Sequence, residues 1–222
     1  MYQLKLHLHP SPDYISDCLR HGQFYEQDIF LDLEKHIPNE GTILDIGANI
    51  GNHAMMFKQR WPERKTICFE ASPINYVLLY HNVTQLPDIT PICSGLGEKF
   101  EVVDFTHFPQ NYGGSGVKSG YKNIVDGLPL DSYPKMSVVI NPLDNFDLPD
   151  DVSFIKMDVE NHELFVIKGG INFLKKHKPV MWIEDFFYDT ENEKSPTQYL
   201  IDNLGYELIG RNEGNFVLKC IK

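Results

Sequence analysis

The chain has 222 residues, enough for one sizeable hydrophobic core and one domain with a decorated edge. Its net charge of −11 comes from 20 basic and 31 acidic residues, and no run of Lys or Arg exceeds two. That excludes the clustered cations of a nucleic-acid groove. No apolar stretch of about 18 residues is present, and MYQLKLHLHPSPDY lacks the apolar core of a signal peptide, so neither a membrane span nor export is expected.

The four cysteines, Cys18, Cys68, Cys93 and Cys220, are scattered without a CxxC pair. This favours a reducing, cytoplasmic setting over a disulfide framework. Cys68 and Cys93 fall in apolar strand-like runs (TICFEA, ITPICSG), where a free thiol behaves as a small buried hydrophobe.

Residues 1–40 read as an N-terminal helical cap. In FYEQDIFLDLEKHIP the apolar residues Phe30, Leu33 and Ile37 recur at helical spacing until Pro38 stops the run. This helix either covers a pocket, pairs with a second copy or simply faces solvent. His7 and His9 alternate in LKLHLHP, a spacing open to metal but explained more simply by a surface strand.

From residue 41 a strand–helix rhythm sets in and continues to residue 222. TILDIG (42–47) is a buried strand, a helix runs from about Gly51 to Arg60, and KTICFEA (65–71) is the next strand. Ser72-Pro73 then sets an N-cap and first-turn proline for INYVLLYHNV. ITPICSGL (89–96) is a third strand.

Residues 97–150 break the rhythm as an insertion, with EVVDFTHF, the glycine-rich NYGGSG, a variable loop and KMSVVINPLDNF. The rhythm resumes with VSFIKMDVE, a helical ELFVIKGGINFLKKHK and the strand PVMWIEDF. Ser195-Pro196 caps TQYLIDNLG, Gly205 stops that helix, and YELIGRN and GNFVLKC close the chain as a hairpin. Trp61 and Trp182 read as packing.

Alternating strands and helices with unbroken apolar strands predict an α/β, doubly wound, Rossmann-like sheet covered on both faces. About seven strands are expected, mostly parallel, with one antiparallel strand from the C-terminal hairpin. Ligands on such sheets sit at the carboxyl ends of the strands. Attention therefore falls on LDIGANIGNHA.

A dinucleotide fingerprint needs a middle glycine for close pyrophosphate approach, and here that place is Asn49 in Gly47-Ala48-Asn49-Ile50-Gly51. A P-loop would need Gly-Lys-Ser/Thr, but the stretch ends Gly51-Asn52-His53. Both phosphate readings are disfavoured, and a nicotinamide dehydrogenase with them. A ligand with a ribose and an amino-acid tail but no phosphate, S-adenosylmethionine, fits better. Glu70 ends the next strand, where a carboxylate accepts hydrogen bonds from ribose hydroxyls. Asp45 would reach a water or the ligand's ammonium.

The candidate cofactor contacts are Asp45, Gly47, Asn49, Gly51, Asn52, Glu70, Ala71, Ser94 and Gly95. The plainer alternative is that Gly47 and Gly51 only permit tight strand–helix packing.

LDIGANIG, FEASPINY, NYGGSG, IKMDVENHELFVIKGG and PVMWIEDF, in this order, resemble the FkbM-type methyltransferase family across roughly residues 20–190. The resemblance implies a class I methyltransferase fold and O-methylation of a hydroxyl on a sugar, glycan or natural product. A sugar or glycan is thus the expected acceptor. The alternatives are a small non-sugar metabolite methylated on oxygen or nitrogen, and a non-catalytic module that only binds S-adenosylmethionine. One departure stands out. Where the family usually has glycine after D-x-E, this chain has Asn161, which either alters the acceptor pocket or occupies a left-handed position that Asn tolerates.

Methyl transfer to a hydroxyl needs alignment and a proton acceptor. MDVENHE offers Asp158, Glu160 and His162 as catalytic candidates, the histidine having an ordinary pKa suited to neutral pH. Acids at 160–163 are also what a helix N-terminus favours without any catalysis. Asp158, ending an apolar strand, has a desolvation cost that demands a partner or a purpose. A divalent metal held by Asp158, Glu160 and Glu184 is a minor alternative to no metal. Asn111, Ser115 and His53 are the candidate acceptor contacts, against plain turn residues for the first two and a solvated helix start for His53.

Overall fold

The computed structural model describes residues 4–117, 124–125, 128–188 and 195–221. Part of the variable loop expected after NYGGSG lies outside these residues. In chain order the elements are α1 (Tyr14–Arg20), α2 (Gln27–Leu33), β1 (Thr42–Ile46), α3 (Asn52–Arg60), β2 (Thr66–Glu70), α4 (Pro73–Val83), β3 (Ile89–Cys93), β4 (Gly95–Leu96), β5 (Glu101–Thr106) and β6 (Gly116–Val117). After these come β7 (Ile124–Val125), β8 (Leu128–Pro129), β9 (Lys135–Asn141), β10 (Val152–Met157), α5 (Glu163–Gly169), α6 (Ile171–His177), β11 (Val180–Glu184), α7 (Pro196–Leu204), β12 (Tyr206–Asn212) and β13 (Asn215–Cys220).

The main sheet has seven strands in the order β12–β13–β11–β10–β1–β2–β3. The pairs β1–β10, β1–β2, β2–β3 and β10–β11 are parallel, while β13 runs antiparallel to both β11 and β12. The expected doubly wound sheet, with its antiparallel strand from the terminal hairpin, is therefore present.

Strand alternation decides what each face holds. Ile43 packs with Phe154, Trp182, Phe57, Trp61, Phe30 and Leu33 on the side of α2 and α3. Leu44 and Ile46 pack with Ile155, Met157, Ile183, Ile167, Leu174 and Leu200 on the side of α5, α6 and α7. Both faces are buried, which accounts for the unbroken apolar runs, and each large ring here contributes about 1.5–3 kcal/mol.

Helix limits follow local chemistry. Ser72 Oγ accepts from Asn75 N–H and Ser195 Oγ from Gln198 N–H, each ahead of a proline in the first turn. Gly205 ends α7 with φ +71°.

Three expectations change. Residues 89–96 do not form one strand: β3 stays in the main sheet, whereas β4 leaves it to pair with β9 in a second sheet of order β4–β9–β5–β6. Ser94 makes the junction, its Oγ accepting from Asn141 Nδ2 at 3.0 Å. The helix expected across 163–178 breaks into α5 and α6 at Gly170, and Gly169, the last residue of α5, lies where a Cβ would come 1.8 Å from the Gly97 carbonyl oxygen. Cys93 is exposed rather than buried, on edge strand β3, while Cys68 is buried.

His7 and His9 sit on an extended segment outside any sheet. Asn82 of α4 accepts from His7 N–H and donates to its carbonyl, doing what a neighbouring strand would do. His9 is buried, 2.9 Å from Asn75 Oδ1 and stacked on Tyr112.

Candidate active site

The turn after β1 is built on positive φ angles: Gly47 at +82°, Asn49 at +51° and Gly51 at +94°. Gly47 is fixed by the protein's own packing, since a Cβ there would lie 1.7 Å from the Asp158 carbonyl oxygen. The Gly47 and Ala48 N–H groups donate to Phe69 O, drawing the turn onto the end of β2. There Glu70 accepts from Asn49 N–H and from Ser72 N–H, one to each oxygen and both at 2.8 Å. The strand-ending acid and the turn are therefore in direct contact.

Burial pushes the Glu70 carboxyl up to about 7, against the two backbone donors and the Asn75 side chain that favour its charged form.

Glu70 borders a first hollow, which also takes lining from Gly47, Asn49, Ala71, Ser94, Gly95, Leu96, Phe105, Ser115, Ile140, Asp158, Glu160 and His162. Its lining combines the Glu70 acid, aliphatic and aromatic side chains, and the carboxylates Asp158 and Glu160. That arrangement suits a cationic nucleoside: an acid for ribose hydroxyls, an apolar slot for a base and anions for a sulfonium and ammonium.

A second hollow adjoins the first through the shared Gly47, Asn49, Gly113, Asp158 and Glu160. The rest of its wall includes Tyr14, Tyr25, Asn52, His53, Gln110, Asn111 and Glu184. The glycine-rich run lines it through Asn111, Gly113 and Gly114 and is held where Tyr112 N–H donates to Asp13 Oδ1, the carboxylate whose other oxygen caps α1. Polar groups dominate this second space.

The shared wall is crowded with charge. Lys156, buried in β10, places Nζ 3.0 Å from Asp158 Oδ2 and over the Trp182 ring. Burial alone would lower its pKa, but Asp158, Glu26 and Glu184 outweigh that and raise it. Burial and the neighbouring Asp158 hold Glu160 and Glu184 well above the carboxylate range.

Glu160 and Asn161 both take left-handed backbone, at φ +55° and +67°. Asn161 thus stands where a glycine would be least strained, and Asn tolerates the position. Glu26 pairs with His53 at 3.1 Å. Burial opposes ionisation of Glu26, yet His53 and Lys156 hold its carboxyl down at about 2.

Several candidates fall elsewhere than expected. Asp45 lines neither hollow: it is fully buried with both oxygens unpartnered, and burial raises its pKa. Gly51 lines neither hollow, since its missing Cβ makes room for Val83 and Leu79 of α4, so the packing reading describes it. Asn52 faces the second hollow rather than the first and clamps Tyr25 by both backbone groups.

Ser115 lines the first hollow rather than the second, and its Oγ accepts from Phe108 N–H. His162 also belongs to the first hollow; burial depresses its pKa to about 4 and its ring stacks on Phe165. His53 is buried rather than solvated. Asp158, Glu160 and Glu184 share the second hollow, but Lys156 already engages Asp158, and no described group of three His, Cys, Asp or Glu has metal-binding geometry.

Tyr14, Tyr25, Glu26 and Lys156 escaped the sequence reading. For Lys156 a signal existed: a lysine inside a buried apolar strand, two residues before an acid, shares that acid's side of the strand.

Residues 45–208 match the Methyltransferase FkbM domain family. The chain is 27% identical over 177 residues to methyltransferase sdnD of Sordaria araneosa, covering 67% of this chain and 68% of that one. It is 27% identical over 162 residues to the hexuronic acid methyltransferase AglP of Haloferax volcanii, covering 68% of this chain and 58% of that one. The crystal structure of methyltransferase FkbM from Methylobacillus flagellatus KT superposes with a TM-score of 0.54 at 20% identity, over 81% of this chain and 43% of that one.

Proposed function

Because the chain belongs to the FkbM methyltransferase family, we propose that it transfers a methyl group from S-adenosylmethionine to a hydroxyl of a sugar or glycan. One observation carries this reading: two hollows, one bordered by a backbone-held acid and one polar, meet across a wall of Gly47, Asn49, Gly113, Asp158 and Glu160. The sugar class draws support from the name of the archaeal relative, and it is the sugar, not its acid group, that is carried over.

S-adenosylmethionine, when bound, supplies an activated methyl group. On the protein's side, Glu70 would hold the ribose hydroxyls, and Ala71, Leu96, Ile140 and Phe105 would enclose the adenine. Glu160 and the Gly47–Asn49 turn would face the amino-acid end.

Asp158 is oriented by Lys156 and would direct the acceptor hydroxyl toward the shared wall. Glu160 would take the hydroxyl proton. Crowding by Asp158 and burial raise its proton affinity, and a group titrating near the working pH makes an effective base. Left-handed backbone at 160–161 presents that carboxylate to both hollows, and such strained positions recur at functional sites. Asn111 and His53 would contact the acceptor.

The test is transfer of radiolabelled methyl from S-adenosylmethionine to sugar acceptors. Labelled sugar ethers are expected. Label only on nitrogen or on non-sugar metabolites would replace the proposed acceptor, and cofactor binding without any turnover would make the chain a binding module.

A further inference from the structure

His9 and Tyr112 line neither hollow, yet their rings lie face to face, with centroids 3.8 Å apart and planes 5° from parallel. His9 is buried, its N–H donating to Ser16 Oγ and its carbonyl accepting from Arg20. Its Nε2 lies 2.9 Å from Asn75 Oδ1. Asn75 is buried as well, in the first turn of α4. There it borders the first hollow, and its side chain bonds to the Glu70 carboxylate.

Donor counting gives this chain of contacts one direction. A carboxylate only accepts, so Asn75 must turn Nδ2 toward Glu70 and Oδ1 toward His9. His9 must then carry its proton on Nε2. Burial holds the ring below its ordinary pKa, so the neutral form is the one to consider. A proton on Nδ1 would instead draw the Asn75 Nδ2 to the ring and leave Oδ1 against the Glu70 oxygens.

We propose that His9 is a positioning residue for the cofactor site: its Nε2–H fixes the Asn75 amide, whose Nδ2 keeps the Glu70 carboxylate available to the ribose hydroxyls. This rests on the reading of Glu70 as the ribose acid. Tyr112 holds the ring, so the glycine-rich run beside the second hollow is tied to the grip on the cofactor in the first.

One test needs no variant. Long-range proton–nitrogen NMR of the full chain should find His9 as the neutral Nε2–H tautomer at pH 7, and an Nδ1–H tautomer overturns the proposal. The other is S-adenosylmethionine affinity followed by titration calorimetry across pH. Wild-type affinity should rise as Glu70 ionises through about 7. His9→Leu keeps bulk but loses the donor, so Glu70 should hold its proton to about one pH unit higher. Binding should then be about fivefold weaker at pH 7 and converge on wild type by about pH 9. His9→Gln, which restores an N–H near the place of Nε2, should follow the wild-type curve. Asp45 of β1 and Cys93 of β3 also face Glu70, and Glu160 titrates in the same hollow, but these are common to all the variants. A loss equal at every pH, or no loss, overturns the proposal and leaves the transferase reading intact. A wild-type chain that binds no S-adenosylmethionine at any pH contradicts the transferase reading itself and takes this proposal with it.

Discussion

Glu70 is held by two backbone N–H groups at 2.8 Å and yet has a carboxyl raised from 4.5 to about 7, because burial outweighs those donors. The sign for stability follows. The folded chain binds this proton more tightly than the unfolded chain, so the contribution is complete below about pH 4.5 and is lost as pH rises through 7. Buried His162, with its pKa depressed, acts in the opposite sense, being stabilising above its unfolded value and losing that as pH falls. The two are separated by Glu70→Gln, which should flatten the fall in melting temperature between pH 5 and 8; an identical pH profile in the variant would show that Glu70 does not carry the shift.

The same change removes a charged acceptor from the proposed ribose site. It should weaken S-adenosylmethionine binding by about ten- to a hundredfold, the scale of a charge-assisted hydrogen-bond pair, as measured by titration calorimetry. Glu160→Gln should lower kcat by about a hundred- to a thousandfold, in the range of general-base catalysis, and should also weaken cofactor binding, since Glu160 faces the cofactor's amino-acid end. Retained turnover would move the base to another residue. Asn161→Gly should relieve the left-handed strain at φ +67° and stabilise by up to about 1 kcal/mol, read from denaturant melts with activity kept.

At the scale of elements, the N-terminal helices and the glycine-rich run form one wall of the second hollow. Asp13 joins them, capping α1 through Ser16 N–H and receiving Tyr112 N–H at 3.1 Å. Asp13→Ala should cost about 1–2 kcal/mol, the worth of an N-cap, and speed hydrogen exchange at Tyr112. It should raise the acceptor KM more than the cofactor Kd, because α1 borders the second hollow. Equal effects on both constants would contradict that division.

Elements were also where sequence signals were strongest. Ser72-Pro73, Ser195-Pro196 and Gly205 mark helix limits by local chemistry, and unbroken apolar runs mark buried parallel strands. What local chemistry does not encode is backbone approach across the fold. Gly169, where α5 ends, packs against the Gly97 carbonyl, and β4 leaves the main sheet to pair with β9. Neither partner adjoins in sequence, so periodicity reads through both places.

For the molecule as a whole, the seven-stranded sheet brings the ends of β1, β2 and β10 to one edge, and the site lies there. The strand-ending positions Gly47, Glu70 and Asp158 were legible, because an acid or glycine closing an apolar strand is itself a signal. The second hollow was less so. Tyr14, Tyr25 and Glu26 come from a segment with no motif, and their convergence on Glu184 depends on how α2 packs against Trp61 and Trp182 and α1 against Ala48, Ile50 and Met55. Asp45 shows the opposite failure, since its place in the strand suggested a ligand contact while its side chain points into the interior.

The account as a whole depends on the turn after β1 and Glu70 enclosing a nucleoside. Its most direct test is a crystal structure with S-adenosylhomocysteine. The prediction is ribose hydroxyls within hydrogen-bonding distance of both Glu70 oxygens, adenine against Ala71 and Leu96, and sulfur facing the wall shared with the second hollow. A nucleoside bound elsewhere, or a ribose turned away from Glu70, would contradict it.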